Sequence, residues 1–99
     1  MYLILWEFTV RPEHAARFER TYGANGDWAT LFARGDGYRG TELLRDRETA
    51  GRYLTIDRWS TREAYDAFRR KWEAEYEALD ATCGALTVDE VRLGEFEVS

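Results

Sequence analysis

The chain has 99 residues, 14 of them Lys or Arg and 19 Asp or Glu, for a net charge of −5. That length suits a single domain, 1–99, able to bury about 60–70% of its unfolded surface in one core. The acidic balance argues against a nucleic-acid partner, the lone Cys83 excludes an internal disulfide or a Cys-rich zinc site, and no apolar run reaches the roughly 18 residues needed to cross a bilayer.

The start, Met1-Tyr2-Leu3-Ile4-Leu5-Trp6, has no basic segment and meets Glu7 at once. It does not read as a signal peptide, and a cytoplasmic protein is expected. Residues 2–10 alternate as a strand, with Ile4, Trp6, Phe8 and Val10 on one face and Leu3, Leu5, Glu7 and Thr9 on the other. Apolar residues on both faces predict a sheet covered on both sides. Pro12 suits the first turn of a helix, and Ala15, Phe18 and Tyr22 follow at helical spacing. Gly23 and Gly26 interrupt it. Asp27 then caps a second piece carrying Trp28, Leu31 and Phe32, which Gly35 and Gly37 end.

Residues 38–46 and 52–59 predict an antiparallel hairpin, with Gly51 in its polar connection. Ser60 and Glu63 match a capping box at the start of a helix over 61–82. That helix carries Ala64, Phe68, Trp72, Tyr76 and Leu79, with a kink expected near Trp72 and Gly84 as its C′ residue. A last strand within 88–98 sets Arg92, Gly94, Phe96 and Val98 against Val91, Leu93, Glu95 and Glu97. The order β-α-β-β-α-β predicts an α+β, ferredoxin-like fold: a four-stranded antiparallel sheet with its helices on one face. Leu3 and Leu5 on the other face predict a homodimer through that face.

Aromatic residues make up 15% of the chain, more than one small core requires, so some rings are expected to line a pocket or an interface. Trp59 ends the third strand beside the helix start that carries Tyr65. It is either a pocket wall or a core residue locking strand to helix. Leu54 and Ile56 face one way and Trp59 falls on the other parity, so a bulge near Asp57-Arg58 is needed to put them on one side. Trp6, Tyr22, Trp28 and Phe32 are expected between sheet and helices, as core or as ligand contacts. Glu7 and Asp57 act as bases only if buried in a pocket, and otherwise form rim or interface ion pairs. His14 is the only histidine and makes no metal site. Arg69-Arg70-Lys71 reads as a solvated helix face pairing with Glu73 and Glu75. Gly35-x-Gly37-x-x-Gly40 precedes a strand instead of opening a helix, so it is not a dinucleotide fingerprint.

Three stretches carry a family resemblance: Leu3 to Val10 followed by Arg11-Pro12-Glu13, Gly37-Tyr38-x-Gly40-Thr41 into Leu43-Leu44-Arg45-Asp46, and Tyr53 to Thr61 running into Ala64-Tyr65 and Phe68. Through them the chain resembles the antibiotic-biosynthesis-monooxygenase domains, which form dimeric α+β barrels. In the branch acting on aromatic polyketides, a Trp at this strand end is joined by a Tyr six residues later and an Asn four residues earlier. Trp59 and Tyr65 match, and Thr55 stands at the Asn position. The haem-degrading branch needs a first-strand Asn and a helical His, and this chain has neither. The resemblance implies a cofactor-independent monooxygenase acting on a small aromatic or quinol-type substrate. Trp59, Tyr65 and Thr55 would be catalytic, Trp6, Tyr22, Trp28 and Phe32 would line the site, and Arg58 or Arg62 would favour an anion. No flavin, haem or metal is expected. The alternative is a non-catalytic dimeric ligand-binding or interaction domain with the same fold.

Overall fold

β1 (Tyr2–Thr9) opens the chain in the computed structural model, which describes residues Met1–Ser99. A 3-10 turn at Pro12–His14 leads into α1 (Ala15–Tyr22), and proline's fixed φ and missing donor suit that first turn. α2 (Asp27–Phe32) follows the glycine-containing break. β2 (Tyr38–Arg45) and β3 (Arg52–Trp59) form the expected hairpin. Its connection is held by Asp46 Oδ1, which accepts the backbone N–H groups of Glu48 and Thr49 at 2.8 and 3.1 Å. Gly51 takes φ +83° there, a conformation that disfavours side chains. α3 (Arg62–Lys71) and α4 (Glu73–Cys83) are separated at Trp72, and a 3-10 turn at Gly84–Leu86 precedes β4 (Asp89–Glu97).

The four strands run in the order β2-β3-β1-β4, each antiparallel to its neighbours. This is the ferredoxin-like α+β arrangement, with each helical segment in two pieces. Directly opposed residues share a sheet face, so the register fixes what each face carries. Ile4 opposes Asp57, Trp6 opposes Thr55, and Thr41 opposes Asp57. These lie on the helix-covered side, where Phe18, Tyr22, Trp28, Leu31, Phe32 and Phe68 fill the core. Leu3, Leu5, Leu54 and Ile56 lie on the other side, together with exposed Leu44, Val91 and Phe96.

Four local expectations are corrected. The helix cap is Thr61, whose Oγ1 accepts the Ala64 N–H at 3.1 Å. Ser60 is still tied to the sheet, because its N–H donates to the Gly37 carbonyl at 2.7 Å, so the Ser60/Glu63 capping box does not form. Gly37 allows this close approach, since a side chain there would collide with Ala64 and Ser60. Gly84 is right-handed (φ −56°) and continues the chain into a 3-10 turn, so it is not a left-handed C′ residue. β3 needs no bulge: Tyr53, Thr55, Asp57 and Trp59 are all buried on the helix side, and it is Leu54 and Ile56 that face away. In β4 a bulge sets Gly94 opposite Leu5 but Arg92 opposite Trp6, which breaks the simple alternation.

Candidate functional site

The odd positions of β3 put two polar residues, Thr55 and Asp57, between two buried aromatics, Tyr53 and Trp59. Burying Thr and Asp beneath helices is costly unless they bond to something. A cavity of about 90 Å³ lies over them. Its floor is Ile4, Trp6 and Phe8 from β1, Thr41 from β2, and Thr55 and Asp57 from β3. Tyr22, Trp28 and Phe32 from the first helical pair and Tyr65 and Tyr76 from the second form its roof. The lining ends at the exposed side chains of Asp80 and Glu90, which form its mouth.

Asp57 is 8% exposed. Thr41 Oγ1 donates to its Oδ1 at 2.8 Å, and Tyr38 Oη lies 2.6 Å from Thr41 Oγ1. A hydroxyl has one proton, so Thr41 gives its own to Asp57 and accepts that of Tyr38. No cation offsets the burial. Burial raises the Asp57 pKa to about 6, and the Thr41 hydrogen bond works against that rise. Glu90 at the mouth is also raised, first by burial and then by Asp80 and Asp89. Burial raises Tyr22 and Tyr76 as well, so both stay protonated at neutral pH.

Tyr65 closes one side of the cavity. Its oxygen accepts from Arg69 Nη1 at 3.0 Å, which leaves its own proton free to donate. Arg69 lies 3.8 Å above the Tyr76 ring and is half-buried, so it is not part of a solvated basic face as expected. The Thr55 hydroxyl makes no hydrogen bond within the protein, and its side chain faces the cavity.

Of the residues picked from sequence, Trp6, Tyr22, Trp28, Phe32, Thr55 and Tyr65 come together on this cavity. Trp59, Arg58 and Arg62 do not. Trp59 is fully buried, packed against Phe32, Tyr38, Tyr65 and Phe68 at centroid distances of 5.2–5.8 Å. Its indole stands behind the cavity wall and holds Tyr65 in an edge-to-face contact. Arg58 lies on the opposite sheet face and pairs with Glu42 at 2.8 Å. Arg62 is at the surface, near Asp66 at 3.8 Å and Glu95 at 3.5 Å. Glu7 forms the expected ion pair, with Arg52 at 2.6 Å. Asp57 does not: it is the buried acid of the cavity. Sequence reasoning weighs Asp57 only as a base if buried, and leaves out the lining residues Ile4, Phe8, Thr41, Tyr76, Asp80 and Glu90. The available signal was the parity that Asp57 shares with Tyr53 and Trp59.

Comparison with known proteins agrees with this architecture. The family described as antibiotic biosynthesis monooxygenase matches residues 1–78. Among solved structures, SnoaB, a cofactor-independent oxygenase from Streptomyces nogalater, is 24% identical with a TM-score of 0.70, covering 99% of this chain and 92% of that one. A candidate antibiotic biosynthesis monooxygenase from Deinococcus radiodurans is 19% identical with a TM-score of 0.75, covering 100% and 93%. Another from Bordetella bronchiseptica is 20% identical with a TM-score of 0.74, covering 99% and 96%. No curated protein sequence matches. These structural likenesses speak for the fold, and the family match over residues 1–78 goes further: the chain belongs to the antibiotic biosynthesis monooxygenase family.

Proposed function

We propose that the protein is a cofactor-independent oxygenase of a small aromatic or quinol-type substrate. The observation that carries this reading is the cavity: aromatic rings on most sides, with Thr55, Tyr65 and Asp57 among its few polar groups. An electron-rich aryl-oxide can pass an electron to O₂ itself, so the protein's task is to hold the ring, exclude water and stabilise charge. Trp6, Trp28 and Phe32 hold the ring. Thr55 and Tyr65 orient its oxygens, and Tyr65, polarised by Arg69, donates to the reduced oxygen. Trp59 acts through Tyr65, which it supports from behind. The likeness to SnoaB, a cofactor-independent oxygenase, supports a reaction without flavin, haem or metal.

Oxygen uptake by purified protein with a hydroquinone, 1,4-naphthalenediol and anthrone tests this over one to three rings. Uptake above the buffer rate, reduced in Tyr65→Phe, is the expected result. Uptake at the buffer rate with all three would overturn it. Two observations favour the second reading, a non-catalytic ligand-binding or interaction domain: Thr55 stands where the resembling oxygenases carry Asn, and Trp59 is off the cavity lining. Ring binding without oxygen uptake would establish that reading.

The working form is proposed to be a homodimer through the bare sheet face. Leu3, Leu5, Leu54 and Ile56 on that face adjoin exposed Leu44, Val91 and Phe96, a patch that a second copy would cover. Sedimentation as a stable monomer at micromolar concentration would count against it. A cytoplasmic location is proposed with it, in keeping with a single buried free cysteine.

A further inference from the structure

Three carboxylates and no cation face the cavity: Asp57 from β3, Asp80 from α4 and Glu90 from β4. The other titratable groups on it are the phenols of Tyr22 from α1, Tyr65 from α3 and Tyr76 from α4, with Tyr38 of β2 reached through Thr41. The nearest cation, Arg69, stands behind the lining, engaged by Tyr65 and Tyr76, and the acidic lining itself disfavours a ligand that arrives as an anion. Yet the oxygenase reading needs an electron-rich anion inside. Both conditions are met if the ligand enters neutral and is ionised in place, by a base that loses its own charge as the ligand gains one.

We infer that Asp57 is that base, and that the ligands are neutral aromatic acids, either phenols or ring ketones with an acidic C–H next to the ring. The inference rests on the oxygenase reading for the choice of ring chemistry. In the step, the ligand's O–H or C–H bond breaks and its electron pair stays on the conjugated ring system. The proton forms an O–H bond with Asp57 Oδ2. Nothing is oxidised or reduced, and the net charge in the cavity is unchanged because Asp57 loses its charge as the ligand gains one.

The geometry suits this task. Thr41 occupies only Oδ1, so Oδ2 takes no hydrogen bond from the protein and is left for the ligand. The Tyr38–Thr41–Asp57 chain fixes the carboxylate's orientation, making Thr41 a positioning residue. Aromatic walls keep the carboxylate poorly solvated. Its pKa of about 6 leaves it ionised at neutral pH and a stronger base than an exposed Asp.

The test uses 2-tetralone, a two-ring ketone, in D₂O without oxygen, with loss of its C–H signal followed by NMR. No oxidation is required, so the base is observed apart from the oxygenase. Wild-type protein should accelerate exchange over buffer, rising with pH through a midpoint near 6. Asp57→Asn, checked for folding by near-ultraviolet circular dichroism, should lose about 100-fold or more of that acceleration. Thr41→Val removes a hydrogen bond that favours the ionised carboxylate, so its midpoint should move to higher pH. A purely structural Thr41 would not move the midpoint. Exchange no faster than buffer in the wild type, or wild-type exchange in Asp57→Asn, would overturn the inference. Oxygen uptake with the three-compound series separates the two readings. Asp57-dependent exchange without uptake would sink the oxygenase alone, and full uptake by Asp57→Asn would sink the base alone.

Discussion

The two faces of this sheet start from similar material and end differently. β1 puts Ile4, Trp6 and Phe8 on one side and Leu3 and Leu5 on the other. Helices cover the first side and enclose a cavity with an unpaired carboxylate inside it. The second side stays open, and its charges are paired at the surface, Arg58 with Glu42 and Arg52 with Glu7. Ionic groups on the open face are satisfied by solvent and by each other. Asp57, deep on the covered face, has neither, and its chemistry changes. Apolar content alone therefore does not distinguish the two faces, whereas a buried acid with no counter-ion does.

Truncation of the buried side should have the largest effect. Trp59→Ala removes a fully buried ring and should cost about 3–5 kcal/mol. Phe96→Ala, on a ring 48% exposed, should cost well under half of that in the isolated subunit. Denaturant midpoints of the two variants measure the contrast directly.

Asp57→Asn should act in the opposite direction and stabilise the fold at pH 7–8. The folded pKa, about 6, lies above the roughly 3.9 of an unfolded Asp, so the native state binds the extra proton between those values. Stability is therefore lost as pH rises from about 4 to about 6. The variant should recover up to about 3 kcal/mol above that window and nothing below pH 4. Paired thermal melts at pH 4 and pH 8 would show this crossover.

Most of the architecture was legible in the sequence because local signals agreed with one another. The alternation in β1, the breaks at Gly23–Gly26 and Trp72, and the hairpin glycine all mark places where backbone preference and burial point the same way. The site was harder to read in β3. Leu54 and Ile56 look like the inward residues by hydrophobicity, but they face the open side, while Thr55 and Asp57 point inward over the cavity. A pattern rule assigns polar residues to solvent, and a cavity is where that rule fails. Arg58 and Arg62 stand out by charge, yet Arg58 shares the parity of Leu54 and Ile56 and so faces the open side, and Arg62 lies at the surface beside Asp66 and Glu95.

Smaller effects should follow from the remaining corrections. Thr61→Ala removes the observed cap and should cost about 1 kcal/mol, whereas Ser60→Ala should cost less because Ser60 caps nothing. Equal losses in urea titrations would mean that the helix begins elsewhere. Arg58→Ala breaks a partly exposed ion pair on the open face and should change subunit stability by less than about 1 kcal/mol.

The most direct test of the cavity as the site is Thr55→Leu, which extends an apolar side chain from the β3 floor into the space a ring would occupy. Oxygen uptake should be followed with the hydroquinone, naphthalenediol and anthrone series, beside a circular dichroism check of the fold. The expected result is wild-type uptake above the buffer rate and a fall in the folded variant to that rate. Undiminished uptake by folded Thr55→Leu would contradict the assignment of the chemistry to this cavity.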